Sequence, residues 1–343
     1  EETEMRVILD AMGGDNAPAE ILKGAAWAVK ELAVEVTAVG DEQKILAAAK
    51  AENIDLSGIE VVHSSEIIEM CDDPTKAIRH KKDSSMVVGL RLLAEGKGDG
   101  FVSAGSTGAL LSGATLITKR MKGVKRAAIA TVIPGRDQAY LLLDSGANVE
   151  CPAEMLDCFA TMGSVYAEKV LGRPSPKVAL VNNGAEESKG TPIYVAAHAM
   201  MKENKSIHFI GNIEPREVPT GAADVVVCDG FTGNVILKLT EGLAKFFTGE
   251  LKKMMFKNLG TKLAALTLKS GVREFKAKLD ADEYGGAPLL GISKVVIKAH
   301  GSSNAKAIKN AIRQAKTCCE NGMIEAIEKN MHNAQEKAAE SET

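Results

Sequence analysis

The sequence predicts an α/β fold: a mostly parallel, mixed sheet flanked by helices. Five times an apolar, strand-like run ends in a short Gly/Asp/Asn turn and passes into a helix-like stretch. These are Val7–Asp10 into Ala11-Met12-Gly13-Gly14-Asp15, Gly100–Val102 into Ser103–Gly108, Leu141–Leu143 into Asp144–Asn148, Val178–Val181 into Asn182-Asn183-Gly184, and Val225–Cys228 into Asp229–Asn234. Strands alternating with helices build parallel sheets. One stretch, Ala127–Leu143, reads instead as a hairpin around Pro134-Gly135-Arg136-Asp137, which makes the sheet mixed. Parallel sheets gather such turns at the carboxyl ends of their strands, where ligands bind. Turns rich in backbone N–H groups and helix starts suit an anion.

The elements follow in order. Ala19–Leu32 carries Ile21, Leu22, Ala25, Val29 and Leu32 at helical spacing. Val34–Gly40 alternates as a strand, and Asp41 caps the next helix. Ile59–Val62 is a short strand. Asp83–Glu95 is a helix capped by Asp83 or Ser84 and stopped by Gly96. Asp99–Val102 is a strand, and Pro152–Leu171 a long helix. Strands at Ile207–Ile210 and Asp224–Cys228 precede a helix from Asn234, and Lys294–Lys298 is a late strand. The end from Lys329 is charged and Ala-rich and is expected to fray. Residues 5–334 read as one unit of two α/β lobes, with Glu1–Glu4 an expression remnant.

Residues 241–280 depart from this alternation. Nine Lys and Arg between Lys245 and Lys278 face only Glu250 and Glu274. Apolar Phe246, Phe247, Leu251, Met254, Met255, Phe256, Leu259, Leu263, Leu266 and Leu268 are interleaved, with Gly260 and Gly271 as expected breaks. A basic amphipathic hairpin of this kind packs on its own protein, on a second copy, or on an anionic membrane.

Composition narrows the rest. The 343 residues can bury a sizeable core. A net charge of −3 and 4% aromatics give no footprint for nucleic acid. The apolar runs fall well short of the about 20 residues that span a bilayer. Six cysteines, with no C-x-x-C pair, read as buried reduced thiols, which fits the cytoplasm.

Six constellations can carry chemistry. The paired Gly13 and Gly14 let backbone approach a ligand between Asp10 and Asp15. Arg79-His80-Lys81-Lys82-Asp83-Ser84-Ser85 gathers cations, hydroxyls and a helix start, which suits a phosphate oxyanion. Ser103–Gly108 opens a helix with small residues whose N–H groups can hold a phosphate or a carbonyl oxygen. It lacks the Gly-Lys-Ser/Thr ending of a P-loop, and no G-x-G-x-x-G follows the first strand. Lys189, with Glu186 near it, can offer a point charge. Asp229–Asn234, followed by Lys238, is a dense polar cluster after an apolar strand. Tyr284–Gly291 is followed by His300-Gly301-Ser302-Ser303, where His300 can carry a proton. No arrangement for a covalent intermediate stands out.

Together these motifs resemble the PlsX phosphate acyltransferase family. The resemblance rests on D-A-M-G-G-D-N-A-P from Asp10, K-K-D-S-S-M from Lys81, S-A-G-S-T-G-A from Ser103, L-L-D-S-G-A-N from Leu142, N-N-G-A-E-E-S-K-G from Asn182, G-N-I-E from Gly211, C-D-G-F-T-G-N from Cys228, Y-G-G-A-P-L-L-G from Tyr284 and K-A-H-G-S-S from Lys298. It runs from Met5 into the 320s. One position departs from expectation: Ser106 stands where Asn is expected.

The resemblance implies a Rossmann-like fold similar to phosphotransacetylases and isocitrate-type dehydrogenases, with a protruding helical hairpin. It implies that inorganic phosphate attacks the thioester of a long-chain acyl carrier protein, giving acyl phosphate for phospholipid synthesis, without a cofactor or metal. It also implies a homodimer, peripheral to the membrane through Met255, Phe256, Leu259 and Leu263. Lys189, His300, Asp229 and Asn234 are assigned to the chemistry. Asp10, Gly13, Gly14, Asp15, Arg79, Lys82, Ser84, Ser103, Gly105, Ser106, Thr107, Gly108, Asp144, Asn148, Asn183, Glu186, Gly230, Phe231 and Gly233 are assigned to substrate. A short-chain phosphotransacetylase using coenzyme A, a non-catalytic membrane scaffold, and an NAD-linked dehydrogenase are the rival readings. The missing fingerprint disfavours the last.

Overall fold

The computed structural model describes residues 5–278 and 281–341; Glu1–Glu4 and the last residues of the 241–280 segment lie outside them. Two sheets form, and the chain visits them in turn. The first five strands are β1 (Arg6–Asp10), β2 (Glu35–Gly40), β3 (Ile59–His63), β4 (Gly100–Ser103) and β5 (Ala128–Ile129). The next five are β6 (Thr131–Ile133), β7 (Tyr140–Leu143), β8 (Lys177–Val181), β9 (His208–Ile213) and β10 (Val225–Val227). The chain then returns with β11 (Gly286–Leu290) and β12 (Val295–Ala299) to complete the first sheet. The orders are β3-β2-β1-β4-β12-β11-β5 and β6-β7-β10-β8-β9. Both sheets are mostly parallel: β11 runs antiparallel to β12 and β5, and β6 to β7.

Helices cover the faces. They are α1 (Ala19–Leu32), α2 (Glu42–Ala51), α3 (Pro74–His80), α4 (Ser85–Ala94), α5 (Thr107–Gly113), α6 (Ala153–Lys169), α7 (Pro192–Glu203), α8 (Gly230–Met255), α9 (Leu259–Thr267), α10 (Lys269–Lys278), α11 (Ala305–Glu320) and α12 (Met323–Ser341). The expected face of α1 is the buried one: Ile21, Leu22 and Ala25 are inside. Gly24 lets α11 approach, because a Cβ there would stand 2.6 Å from that of Ile308. β4 and β7 are buried along their whole length, as strands covered on both faces should be.

Three expectations are corrected. The Ala127–Leu143 hairpin is shorter than expected. Only Thr131–Ile133 pairs with β7, while Ala128 and Ile129 pair with Leu290 and Leu289 in the other sheet. Ala130 marks the crossing, its N–H donating to Pro288 O. An unbroken apolar run does not reveal a change of sheet. The helix expected from Asn234 begins at Gly230, because the Asp229 side chain accepts from Thr232 N at 2.8 Å and caps it there. The breaks in the basic segment fall at Phe256–Asn258 and Leu268, and Gly260 and Gly271 lie inside α9 and α10. A reciprocal box sets the first break: Asn258 Oδ1 accepts from Thr261 N, and Thr261 Oγ1 accepts from Asn258 N. A helical Gly costs only about 1 kcal/mol and need not end a helix.

The six cysteines are free, but Cys71 is exposed rather than buried. In the basic arm, Phe246, Phe247, Phe256, Leu259, Leu263 and Leu266 are all more than half exposed. No helix among the described residues is long and apolar enough to cross a membrane.

Candidate active site

The turns after β1, β4 and β12 interlock. Asp10, at the end of β1, is 1% exposed. Its carboxylate accepts from Ser85 Oγ at 2.6 Å, Ser103 Oγ at 2.7 Å and Met12 N at 3.2 Å. Ser103 Oγ in turn accepts from Gly105 N at 3.0 Å. Burial pushes the Asp10 carboxyl up, and these donors pull it back. Gly13 has no room for a side chain, since a Cβ would meet Asp10 Oδ2 at 2.6 Å and Gly105 N at 2.7 Å. Asp15 N donates to Gly301 O at 2.8 Å, and Asn16 Nδ2 to Ser302 O and Ser303 O. Lys298 is the register partner of Ser103, so β12 brings a lysine beside the Asp10–Ser103 pair. It is 9% exposed. Burial lowers its pKa to about 8, with Asp10 opposing. His300 is exposed, and its Nδ1 lies 2.9 Å from Ser302 Oγ. Partial desolvation, with Lys238 adding to it, lowers its pKa.

A second cluster forms on the other sheet. Asp144, after β7, is fully buried. It accepts from Ile129 N, Gly146 N, Ala147 N and Asn148 N, the last at 2.7 Å, and from Asn148 Nδ2 at 2.9 Å. The first turn of α8 lies on this loop. Gly230 N donates to Asn148 O at 2.7 Å, and a Cβ on Gly233 would overlap Asp144 O at 1.9 Å. Tyr194, from α7, donates to Asp229 Oδ2 at 2.5 Å and accepts from Asp229 N at 3.1 Å. This ties the Asn182–Gly190 turn to the cluster, because α7 follows that turn directly. Within the turn, Asn182 Nδ2 donates to Lys189 O, and Asn212 Nδ2 to Glu186 O.

α8 joins the two clusters. It starts at Asp229 on the second, and its Lys238 lies within electrostatic range of Lys298 and His300 on the first. Gly146 has only Asn234 near its Cβ position, at 3.7 Å.

The expected residues therefore divide. Asp10, Gly13, Gly14, Asp15, Ser103, Gly105 and His300 come together, as do Asp144, Asn148, Asp229, Gly230 and Gly233. Much of the expected donor capacity is already used inside the protein. The N–H groups of Gly230, Thr232 and Gly233 donate to Asn148 O, Asp229 Oδ1 and Asp229 O. Ser84 is buried and caps α4 through Val87 N. Ser106 caps α5 through Ala109 N, so the hydroxyl at the departing position does the local work of an amide. Thr107 and Gly108 follow it, with backbone N–H groups that have no acceptor among the described residues. Arg79, Lys82, Asn183, Glu186, Lys189 and Phe231 are exposed. No ion pair among the described residues involves Arg79, Lys82 or Lys189. Three residues that were not singled out matter to the geometry: Ser85, Tyr194 and Lys298. Only Ser85 lay within a motif read for anion binding; Lys298 could have been found as a charge in an apolar strand. A cavity of about 630 Å³ beside Glu168, Lys205 and His208 opens at the other end of the second sheet.

Known proteins can be set beside this geometry. The family model described as "Fatty acid synthesis protein" matches residues 5–326. A phosphate acyltransferase of Alkaliphilus oremlandii is 50% identical over 323 residues, covering 94% of this chain and 96% of the relative. One from Clostridium botulinum is 46% identical, covering 96% and 98%. Among solved structures, a phosphotransacetylase from Streptococcus pyogenes superposes with a TM-score of 0.63 at 17% identity, covering 92% and 94%. A 4-hydroxythreonine-4-phosphate dehydrogenase from Klebsiella pneumoniae gives 0.55 at 14%, covering 92% and 100%. These two share the fold. With its strand-end turns interlocked and its sequence matched along nearly all its length, the chain belongs to the phosphate acyltransferase family.

Proposed function

We propose that this protein transfers the acyl group of a long-chain acyl carrier protein to inorganic phosphate, in the cytoplasm at the inner face of the cell membrane. The observation that supports this reading is the meeting of the turns after β1, β4 and β12, with Lys298 buried beside Ser103, in a member of this family. A phosphate oxygen attacks the thioester carbonyl carbon. The carbon–sulfur bond then breaks, leaving acyl phosphate and the carrier thiol. Lys189, Arg79 and Lys82 are exposed charges with which phosphate can pair. The unpaired N–H groups of Thr107 and Gly108 suit the carbonyl oxygen as it gains charge. His300, held below its ordinary pKa, is neutral near pH 7 and can carry the proton of the attacking phosphate to the departing sulfur.

The test is formation of acyl phosphate from palmitoyl carrier protein and phosphate, run beside acetyl-coenzyme A. Preference for the coenzyme A ester would favour a short-chain phosphotransacetylase. Lys189→Ala is expected to lower kcat/KM for phosphate by roughly tenfold or more; an unchanged value removes Lys189 from the phosphate site.

The arm supports a place at the membrane. Phe256 and Leu259 stand exposed at the α8–α9 junction among lysines, with Met255 and Leu263 beside them. This is the pattern of an interfacial amphipathic segment. The Phe256→Glu, Leu259→Glu double variant is expected to lose flotation with anionic liposomes. Binding equal to wild type would assign the arm to a second copy instead, which a mass measurement in solution reads as dimer.

A further inference from the structure

We propose that Lys298 is a phosphate-binding residue: its buried ammonium holds the inorganic phosphate dianion at the floor of the Asp10–Ser103–His300 cluster. The assignment rests on the phosphate-transfer reading above and adds to it the interior charge that the anion meets.

Position is the first argument. β1, β4 and β12 are adjacent in the sheet, and Lys298 is in register with Ser103, whose hydroxyl donates to Asp10. A carboxylate, a hydroxyl and an ammonium thus line the carboxyl ends of three neighbouring strands, where α/β folds bind ligands.

Unspent donor capacity is the second. An ammonium carries three donors. The Lys298 Nζ donates to Ala299 O, and no other acceptor is found for it among the described residues. Nor does it form an ion pair with Asp10 or Asp15 among them; both act on it only at longer range, and the Asp10 oxygens accept from Ser85, Ser103 and Met12 instead. A buried charge left without a close counter-ion is costly, and an anionic ligand supplies the missing partner. Ser303, 4% exposed and in the turn just after β12, likewise has a buried hydroxyl with no hydrogen-bond partner among the described residues.

The third argument is comparison with the other cations. The other cations read for phosphate, Arg79, Lys82 and Lys189, are all exposed, where water weakens each pairing. Lys238 of α8 lies in electrostatic range, but both oxygens of Glu241 hold it. Lys298 alone among these combines burial, position and free donors.

The experiment is calorimetric titration of the full chain with inorganic phosphate, without an acyl donor. Wild type is expected to bind, and Lys298→Met to bind roughly tenfold more weakly or worse while still unfolding cooperatively. Equal affinity in a folded variant overturns the assignment. Should the variant not fold, wild-type protein labelled with acetic anhydride gives the answer by mass spectrometry. Saturating phosphate is expected to protect Lys298, and labelling that phosphate leaves unchanged overturns the assignment. If wild type binds no phosphate at all, the phosphate-transfer reading fails first, and Lys298 with it.

Discussion

Asp144→Ala is expected to lower the unfolding free energy by about 3 kcal/mol or more, read as a fall in the urea midpoint. Four backbone N–H groups and one side-chain amide point at this carboxylate, and the bonds from Ile129 N, Asn148 N and Asn148 Nδ2 are fully buried. Removing it leaves several donors buried together, and each unsatisfied group costs about 1–3 kcal/mol before water or relaxation makes up part. The Asn148 amide also holds Ala127 O at 2.8 Å, and Asn148 O receives the first N–H of α8. Loss of the carboxylate therefore loosens the seat of Asp229 as well as the loop. Asp144→Asn keeps one acceptor oxygen and is expected to fall between wild type and alanine. An alanine variant with the wild-type midpoint would show that the network carries little of the stability.

The sequence announced these turns but not how they are satisfied. Periodicity placed nearly every strand, because an apolar run ending in Gly and Asp has few other uses in a chain of this length. It could not show that Ala130 changes sheets, because the same apolar residues serve either partner. It read Asp10 and Asp144 as ligand-facing, yet both are buried and spend their oxygens on the protein's own donors. A motif tells which residues meet, and only coordinates tell whether their hydrogen bonds are already filled. Ser84 and Ser85 show the difference most sharply: adjacent hydroxyls, one capping a helix and the other bonded to Asp10. Tyr194 was invisible for another reason. Its partner Asp229 is 35 residues away, and nothing local marks such a pair. Lys298 opens the K-A-H-G-S-S motif, yet nothing local marks it as buried. A lysine near the end of a strand is ordinarily solvated, and its burial comes from the strands on both sides.

That burial makes a second prediction, in which stability and binding move in opposite directions. Burial, more than the nearby charges, lowers the Lys298 pKa from 10.5 to about 8; Asp10 and Asp15 oppose the shift, and Lys238 adds to it. His300, two residues on, is neutral over the range concerned. Between pH 8 and 10.5 the unfolded chain keeps the Lys298 proton while the folded chain releases it. Wild-type stability should therefore gain about 3 kcal/mol from this group as pH rises through that window. Lys298→Met lacks the group, so its stability relative to wild type should be greatest at pH 7 and should fall by about that amount by pH 10.5. Comparing the two at each pH cancels the titration of every other lysine and tyrosine that they share. Saturating phosphate should narrow the gap at pH 7, because the anion pairs with the buried ammonium and binds only the folded state. A gap that stays constant with pH would mean that the interior charge costs nothing, and the demand for a bound anion would go with it. A gap that varies with pH but ignores phosphate would keep the cost and deny phosphate as its partner. A large cost at pH 7 that phosphate relieves would mark Lys298 as a residue kept for its ligand at the expense of the fold.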